Sequence, residues 1–481
     1  VKLKLTDLIE PDKELAVNGV TSDSRRVQEG FLFAALPGNK TKGSDYIADA
    51  IQHGASVILA EEGVSLPPDM ARDVVIVNDN NTRQAFAKIA AKFYKLQPEN
   101  IVAVTGTSGK TSTVSFVQQL WHLSGIVKCA SLGTLGLRGP GMMRAGSLTT
   151  PDTETLHAEL ADLKAVGIDH LAMEASSHGL DQYRLDGVRI KVAAYTNLSR
   201  DHLDYHKDMD DYFEAKRRLF SEVMISPGVA VINADDEYAQ KLIQTCTEKN
   251  HRVILYGHEG KDIKLNSRKP MPSGQKISIT VFGKDHDLTL PLVGDFQVMN
   301  ALCALGIMLA QEEDSEKYVP LLEKLRGVPG RLQLIPGHPK GAVYVDYAHK
   351  PAALETVLKT LRPHTDGKLV CVFGCGGNRD PGKRPMMGKI AIDLADKVIV
   401  TDDNPRYEDA AEIRKQILTA APGAEEIGDR REAIAKAVQQ LEKGDVLVIA
   451  GKGHEQGQII GEEIFPFSDF EEAEKAIQGV K

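Results

Sequence analysis

The run IVAVTGTSGKTSTVSFVQQLWHLSG at 101–125 joins an apolar strand to an amphipathic helix through a turn that ends Gly109-Lys110-Thr111. A glycine-rich turn feeding a helix start gathers backbone N–H groups and the positive end of the helix dipole at one point, which suits phosphate. Gly106, Thr107, Ser108 and Gly109 form that turn, Lys110 adds charge, and Thr111 or Ser112 offers a hydroxyl to Mg2+. The spacing departs from the common phosphate-loop pattern, because Val104 stands where the first glycine is expected. The competing reading is a tight turn that binds nothing; Gly-Lys-Thr in this setting favours a nucleoside triphosphate.

Two further segments carry chemistry. MEASSHGLDQYRL places Glu174 at the end of an apolar strand, where a carboxylate facing the phosphate turn is a natural Mg2+ ligand, against the alternative of a solvated strand-end acid. TNLSRDHLDYHKDMDDYFEAKRRLF sets His202 and His206 with Asp201 and Asp204 directly after another strand, which suggests a second metal site, a charge relay, or only a solvated loop. Lys216, in EAKRRLF, reads from the residues alone as one charge on an exposed helix face.

The elements that must position these groups alternate strand and helix. Residues 1–97 form a small α/β module with strands at FLFAAL, ASVILAEEG and DVVIVNDN and a helix at TRQAFAKIAAKFYKL. QPEN at 97–100 marks a boundary. Residues 98–332 add the strands HLAMEAS, VAAYTNLS and GVAVINADD, hence a parallel sheet, with an antiparallel extension between 276 and 294. The proline- and glycine-rich GVPGRLQLIPGHPKG is the next linker. In 333–481, AVYVDYA, KLVCVFGCGG, KVIVTDDN and DVLVIAGKG alternate with helices, the pattern of a doubly wound, Rossmann-like domain whose ligands sit beyond the carboxyl ends of its strands. The expected class is α/β in three domains.

Composition excludes other classes. A chain of 481 residues, 42% hydrophobic and 26% charged, builds sizeable cores, and its net charge of -9 opposes nucleic-acid binding. Five cysteines without metal-site spacing read as reduced thiols of a cytoplasmic protein. The start VKLKLTDLIEPDKEL has no signal-like apolar stretch and no run is long enough to span a membrane. No membrane or nucleic-acid partner is expected, and the working chain is expected to be a monomer.

TGTSGKTS, LTTPDT at 148–153, EASSHGL at 174–180, NLSRDHLDYH, Gly330-Arg331, DYAHKP at 346–351, GCGGNRD at 374–380, DDNPR at 402–406 and GKGHE at 451–455 stand in the order seen in Mur ligases, which the chain resembles over essentially its whole length. The resemblance covers the variant phosphate loop too. It implies ATP and Mg2+ as cofactors and an acyl-phosphate ligase reaction, with the three domains binding UDP-sugar, ATP and an amino acid in turn. It implies that Lys110 and Thr111 meet phosphate and magnesium, and that Glu174, His202 and Lys216 hold metal, Lys216 as a carbamate (N6-carboxylysine). Asn300, Arg331, Asp346 and His349 resemble the adenine and ribose contacts, with ATP held between two domains.

For UDP-N-acetylmuramoyl-L-alanyl-D-glutamate the resemblance points to Ser24, Thr149, Thr150, Ser176, Gln182 and Arg184, each of which could instead be a cap or turn residue. For the incoming amino acid, DDNPR goes with meso-diaminopimelate: Arg406 can grip the distal carboxylate that lysine lacks. Arg379, Asp403, Asn404, Pro405, Gly451 and Glu455 complete that set. The bland reading of Arg406 is a helix-entry arginine paired with Glu408 or Asp409. His202 and Asp201 are the candidate bases. The rivals are the same reaction with L-lysine, a folylpolyglutamate synthetase-like ligase, and a nucleotide-dependent switch protein, the last disfavoured by the absence of an Asn-Lys-x-Asp motif.

Overall fold

The computed structural model describes residues 3–4, 16–38, 42–66, 70, 74–146 and 148–480. The starting segment VKLKLTDLIEPDKEL, read above for targeting signals, lies outside the described residues except for Leu3–Lys4. The chain forms two compact units, Val1–Ile263 with Leu302–Ser315, and Lys264–Ala301 with Glu316–Lys481.

The first unit opens with a parallel sheet of Gly19–Thr21 (β1), Phe31–Ala34 (β2), Ala55–Glu61 (β3) and Val75–Asp79 (β4), in that spatial order. The helix Thr82–Tyr94 (α1) buries Phe86, Ile89, Ala90 and Phe93 on its helical stripe against Val20, Leu32, Val57 and Leu59. Asn81 caps it, Oδ1 accepting from Gln84 N at 3.1 Å.

The same unit then builds a larger sheet from Asn100–Thr105 (β5), Cys129–Gly133 (β6), Gly136–Gly139 (β7), Met142–Arg144 (β8), His170–Glu174 (β9), Ile190–Tyr195 (β10), Val229–Asn233 (β11) and Arg252–Gly257 (β12). Their order is β8-β7-β6-β9-β5-β10-β11-β12, with β7 and β8 antiparallel at the edge and the remainder parallel. A parallel sheet is covered on both faces, which is why β5 reads Ile101-Val102-Ala103-Val104 without a break and all four are buried. The helices Lys110–Leu123 (α2), Thr153–Ala165 (α3), the short Ser177–Asp181 (α4) and Met209–Arg218 (α5) follow strands or loops of this sheet. Trp121 of α2 is fully buried and its Nε1 donates to Gln311 Oε1 at 3.3 Å. Because β9, β5 and β10 are parallel neighbours, the loops after them open on the same edge.

The second unit contains an antiparallel hairpin, Gly274–Val281 (β13) with Lys284–Leu290 (β14), and a six-stranded sheet. That sheet comprises Gln333–Ile335 (β15), Ala342–Asp346 (β16), Leu369–Phe373 (β17), Lys397–Val400 (β18), Glu425–Glu426 (β19) and Val446–Ala450 (β20), ordered β15-β16-β20-β17-β18-β19. Only β15 runs antiparallel. Helices Pro351–Leu361 (α6), Lys383–Leu394 (α7) and Ala410–Leu418 (α8) cover one face, packing Leu354, Leu358, Met387 and Ile413 on Tyr344 and Val448; Arg430–Gln439 (α9) and Asp469–Gln478 (α10) cover the other, packing Ile434, Val438 and Ala473 on Val343 and Ile449. Alternate residues of one strand thus feed two cores, each buried aliphatic side chain contributing about 1.5–3 kcal/mol. This is the doubly wound α/β arrangement predicted from the alternation. A small hairpin, Gly457–Ile460 (β21) with Glu463–Pro466 (β22), follows β20. His364 ties β13 to this unit: its Nδ1 donates to Met271 O (2.8 Å) and Gly274 O (3.0 Å), while Nε2 accepts from Gly294 N at 3.1 Å.

All five cysteines are buried. Burial pushes the Cys129 thiol up to about 11 and those of Cys246, Cys303, Cys371 and Cys375 up to about 12. No described helix is long and apolar enough to cross a membrane.

Candidate active site

The glycine turn expected to hold phosphate begins later than the common pattern suggests. Val104 is a fully buried strand residue, paired with Glu174 on one side and Ala194 on the other, so the first-glycine position of that pattern lies inside the sheet. Gly106 has φ 148°, and a Cβ on it would lie 1.9 Å from Thr196 Oγ1, which only glycine avoids. Gly109, at φ 87°, is the N-cap of α2, and the N–H groups of Lys110, Thr111 and Ser112 have no intrahelical acceptor. The exit of β10 braces the turn. Asn197 Oδ1 accepts from Ser108 N (3.0 Å), Thr196 Oγ1 donates to Ser108 O (2.6 Å), and Thr107 Oγ1 accepts from Ser199 N (3.0 Å).

Two lysines converge on one carbonyl. Lys110 Nζ donates to Gly106 O at 2.8 Å and Thr107 O at 3.0 Å, and Lys216 Nζ donates to the same Gly106 oxygen at 2.9 Å. The helix-surface reading of Lys216 is thereby corrected: it is 1% exposed. The reason is the stripe Tyr212, Phe213, Lys216, which α5 turns inward, leaving Nζ 4.3 Å from the centre of the Tyr212 ring. Burial holds the Lys216 ammonium well below its ordinary range, and Lys110 adds to the effect. Burial lowers Lys110 as well, opposed by Glu174 and Asp201. Such crowding of cations away from water favours arrival of an anion.

Glu174 ends β9, 2% exposed. Its Oε1 accepts from Thr134 N at 2.8 Å and its Oε2 from Thr134 Oγ1 at 3.2 Å; burial raises the carboxyl, against Thr134, Lys110 and a hydrogen bond from Thr111. A carboxylate and a hydroxyl side by side at the helix start fit a hard divalent cation that completes its shell with phosphate and water. No group of three or more His, Cys, Asp or Glu among the described residues could by itself hold a metal.

The four-residue cluster read after β10 does not converge. His206 is buried and pairs through Nδ1 with Asp211 (3.3 Å) rather than with Asp201 or Asp204, because a turn closed by His206 N on His202 O carries it inward. His202 stays half exposed at φ 53°, its Nε2 3.7 Å from Asp201 Oδ2 and its ring 5.0 Å from that of His178.

The residues expected to meet the UDP-sugar form a hydrogen-bonded chain that starts at Glu174. Thr150 Oγ1 donates to Glu174 O (2.9 Å) and accepts from Ser176 N (3.0 Å), while Thr149 shares a bond with Thr134 (3.1 Å). Arg184 donates to Thr150 O at 2.8 Å and to Gln182 Oε1 at 2.7 Å, and Gln182 Nε2 donates to Tyr205 Oη at 3.0 Å. Ser176 also caps α4, its Oγ accepting from Gly179 N at 3.1 Å. Ser24 is buried in a turn that Asp23, not Ser24, caps. The first module meets the larger sheet of its unit through Arg26 on Glu154 (2.8 Å) and Gln84 on Asp186 (2.9 Å).

In the second unit, Asp403, Asn404 and Pro405 are buried and Arg406 is half-buried at φ 53°. Gly451, φ 118°, leaves no room for a Cβ, which would lie 2.7 Å from Asp403 Oδ2. Arg406 Nη1 donates to the carbonyls of Gly377 (3.0 Å) and Asn404 (3.4 Å). The helix-entry pairing is absent: Glu408 takes Arg384 at 2.9 Å, and Asp409 caps α8 through Ala411 N at 2.8 Å. Among the described residues no carboxylate pairs with Arg406 or with exposed Arg379. Asn404 Nδ2 donates to Glu455 Oε2 at 2.9 Å. Elsewhere in this unit, Asp346 accepts from Leu332 N (2.7 Å) and Ala348 N (2.8 Å), burial raising its carboxyl. Arg331 lies 5.3 Å from the ring of Tyr347, which also has His349 at 4.6 Å and His454 at 5.3 Å, and Asn300 Nδ2 donates to Gln297 Oε1 at 3.1 Å.

Sequence reasoning missed Thr134, Asn197, His178 and Tyr205. Asn197 and Tyr205 lie within the TNLSRDHLDYH block, a polar run directly after a strand, which was the available signal; Thr134 lies in the tight turn between β6 and β7 and gives none.

Comparison with known proteins extends the same picture. The family models described as Mur ligase family, catalytic domain, Mur ligase middle domain, and Mur ligase, glutamate ligase domain match residues 16–94, 104–308 and 330–453. The chain is similar to proteins named UDP-N-acetylmuramoyl-L-alanyl-D-glutamate–2,6-diaminopimelate ligase from Caulobacter vibrioides, 49% identical with 96% of each chain covered, and from Brucella melitensis biotype 1, 49% identical with 96% and 94% covered. A solved structure of a ligase of that name superposes with TM-score 0.78 at 34% identity, covering 100% of this chain and 99% of the other. A folylpolyglutamate synthase of Mycobacterium tuberculosis, 21% identical with TM-score 0.57 over 77% of this chain and 92% of its own, shares the fold. A strand-turn-helix with Gly106 and Gly109 at positive φ, a doubly wound sheet later in the chain, and matches that run almost end to end place the sequence by descent: it belongs to the Mur ligase family.

Proposed function

We propose that the chain is an ATP-dependent ligase that joins meso-2,6-diaminopimelate to the D-glutamyl γ-carboxylate of UDP-N-acetylmuramoyl-L-alanyl-D-glutamate, releasing ADP and phosphate. The observation that carries the reading is Arg406, a guanidinium with no carboxylate partner among the described residues, beside Asn404 and Glu455. That is a seat for a second carboxylate, which diaminopimelate has and lysine lacks. Relatives named for this reaction, 49% identical over nearly the whole chain, support it.

In this reading residues 1–97 bind the UDP-sugar, 98–332 carry the ATP chemistry and 333–481 bind the amino acid. The backbone of 106–112 and Lys110 hold the triphosphate, with Asn300, Arg331, Asp346 and His349 assigned to adenine and ribose. Ser24, Thr149, Thr150, Ser176, Gln182 and Arg184 are assigned to the UDP-sugar peptide, and Arg379, Asp403, Asn404, Pro405, Arg406, Gly451 and Glu455 to diaminopimelate. Thr111, Glu174, His202 and a carbamate on Lys216 would hold magnesium, which when bound neutralises charge on the phosphates. The depressed ammonium of Lys216 favours that modification: its neutral Nζ adds to CO2, and the carbamate forms as a proton leaves.

A γ-carboxylate oxygen attacks the γ-phosphorus, ADP departs, and an acyl phosphate remains. Lys110 spreads the charge of the transferring group. The amine of diaminopimelate attacks the acyl carbon, His202 or Asp201 takes its proton, and the tetrahedral adduct expels phosphate. We place the reaction in the cytoplasm, with a monomer as the working form.

The test measures phosphate release from ATP with the UDP-muramyl dipeptide and either diaminopimelate or L-lysine. Release that requires both the dipeptide and diaminopimelate is expected. Equal release with lysine rejects the amino-acid assignment, and release with folate, or without any amino acid, rejects the ligase reading as stated.

A further inference from the structure

Lys452 follows β20 and is 0% exposed. An ammonium buried to that extent needs acceptors, and it finds Asn404 Oδ1 at 2.9 Å and Glu455 Oε2 at 3.0 Å. Asn404 Oδ1 also accepts from Ile459 N at 3.0 Å, and Asn404 Nδ2 donates to Glu455 Oε2 at 2.9 Å. These bonds settle what Asn404 can offer. With Oδ1 filled by two donors and one Nδ2 hydrogen spent on Glu455, only the second Nδ2 hydrogen remains, so Asn404 meets a ligand as a donor. Glu455 is constrained in turn: Oε2 carries both bonds, and Oε1 is left for a cation.

We propose that Lys452 is a positioning residue for amino-acid selection, holding Asn404 as a donor to a carboxylate and aiming Glu455 Oε1 at an ammonium. This rests on the reading that the pocket takes diaminopimelate. Lys452 touches no substrate in this scheme. Its charge offsets that of Glu455, so the carboxylate, 33% exposed, keeps one orientation instead of swinging toward water.

The test is steady-state kinetics of the full chain with Lys452→Met, Glu455→Gln and the double variant. Loss of charge-assisted hydrogen bonds predicts that Lys452→Met raises KM for diaminopimelate about 10- to 100-fold. KM for ATP and for the UDP-dipeptide should stay at wild-type values. Because the lysine acts through Glu455, the two single effects should combine to clearly less than their product. Thermal unfolding checks folding, and Lys452→Gln, which keeps one donor, replaces the methionine variant if that one does not fold. Independent, multiplying effects, a uniform rise in all KM values, or loss of fold in both variants would make Lys452 a core residue and overturn the proposal. A wild-type enzyme that ignores diaminopimelate would instead reject the underlying function.

Discussion

Arg406→Ala is the sharpest probe of amino-acid choice. The guanidinium spends Nη1 on two backbone carbonyls, while Glu408 and Asp409 are occupied elsewhere, so its remaining N–H groups and its full charge are open to a ligand carboxylate. A bidentate, charge-assisted pair in a half-buried setting is worth about 2–4 kcal/mol, which corresponds to a loss of roughly 30- to 1,000-fold in apparent affinity. Lysine in its place keeps the charge and loses the fork, so Arg406→Lys should fall between wild type and alanine. The backbone supplies a control. Arg406 sits at φ 53°, a left-handed conformation that costs a non-glycine residue about 1–2 kcal/mol. Arg406→Gly relieves that cost, and should therefore lose affinity like alanine while unfolding at the same or a higher temperature. The assay is phosphate release against diaminopimelate, ATP and L-lysine concentration, with thermal midpoints alongside. A KM for ATP that rises as much as that for diaminopimelate, or a glycine variant that loses stability with affinity, would show that Arg406 supports the fold and not the ligand.

Lys216→Ala should cut turnover by at least about 100-fold, with partial rescue by short carboxylic acids that restore an anionic oxygen pair; an unimpaired variant would remove the carbamate from the reading. Gly106→Ala places a Cβ against Thr196 Oγ1, and should abolish ATP consumption, with Gly106→Ala/Thr196→Ala partly restoring it; no recovery would show that the Thr196 contact is not what dictates glycine, leaving the φ of 148° and the Asn197 backbone 3.1 Å away. His157 is buried beside Asp186 O and burial lowers it from 6.5 to about 4. Its folded value lies below its unfolded one, so the stability it contributes is present above pH 6.5 and is lost as the pH falls toward about 4, on the order of 3 kcal/mol in all. Thermal melts across that range should show a shallower acid loss for His157→Phe, and parallel curves would refute the assignment.

Local structure was legible in the sequence and long-range partnership was not. Gly109-Lys110-Thr111 is readable as the turn of a strand-turn-helix because the three parts are contiguous, and the apolar centres of β5 and β9 declare a buried parallel sheet. Lys216 was hidden: a helix reading EAKRR looks solvated until Tyr212 and Phe213 are seen to turn its stripe inward. Thr134 meets Glu174 across 40 residues and Lys452 meets Asn404 across 48, and neither pairing leaves a periodic trace. Arg406 shows the opposite hazard: the nearby acids suggest a local ion pair as the bland alternative, and Arg384 and a helix cap claim those acids instead. The strand-to-helix alternation sufficed for the class of fold, because it depends on pattern and not on identity.

The burial of every native thiol has a practical corollary. With Cys129, Cys246, Cys303, Cys371 and Cys375 all sequestered and held as thiols, maleimide dyes should leave the native enzyme untouched. A single cysteine introduced at Tyr407, 70% exposed next to Arg406, would then be the sole labelling point, and a fluorophore there would report the amino acid's arrival without any prior removal of native cysteines.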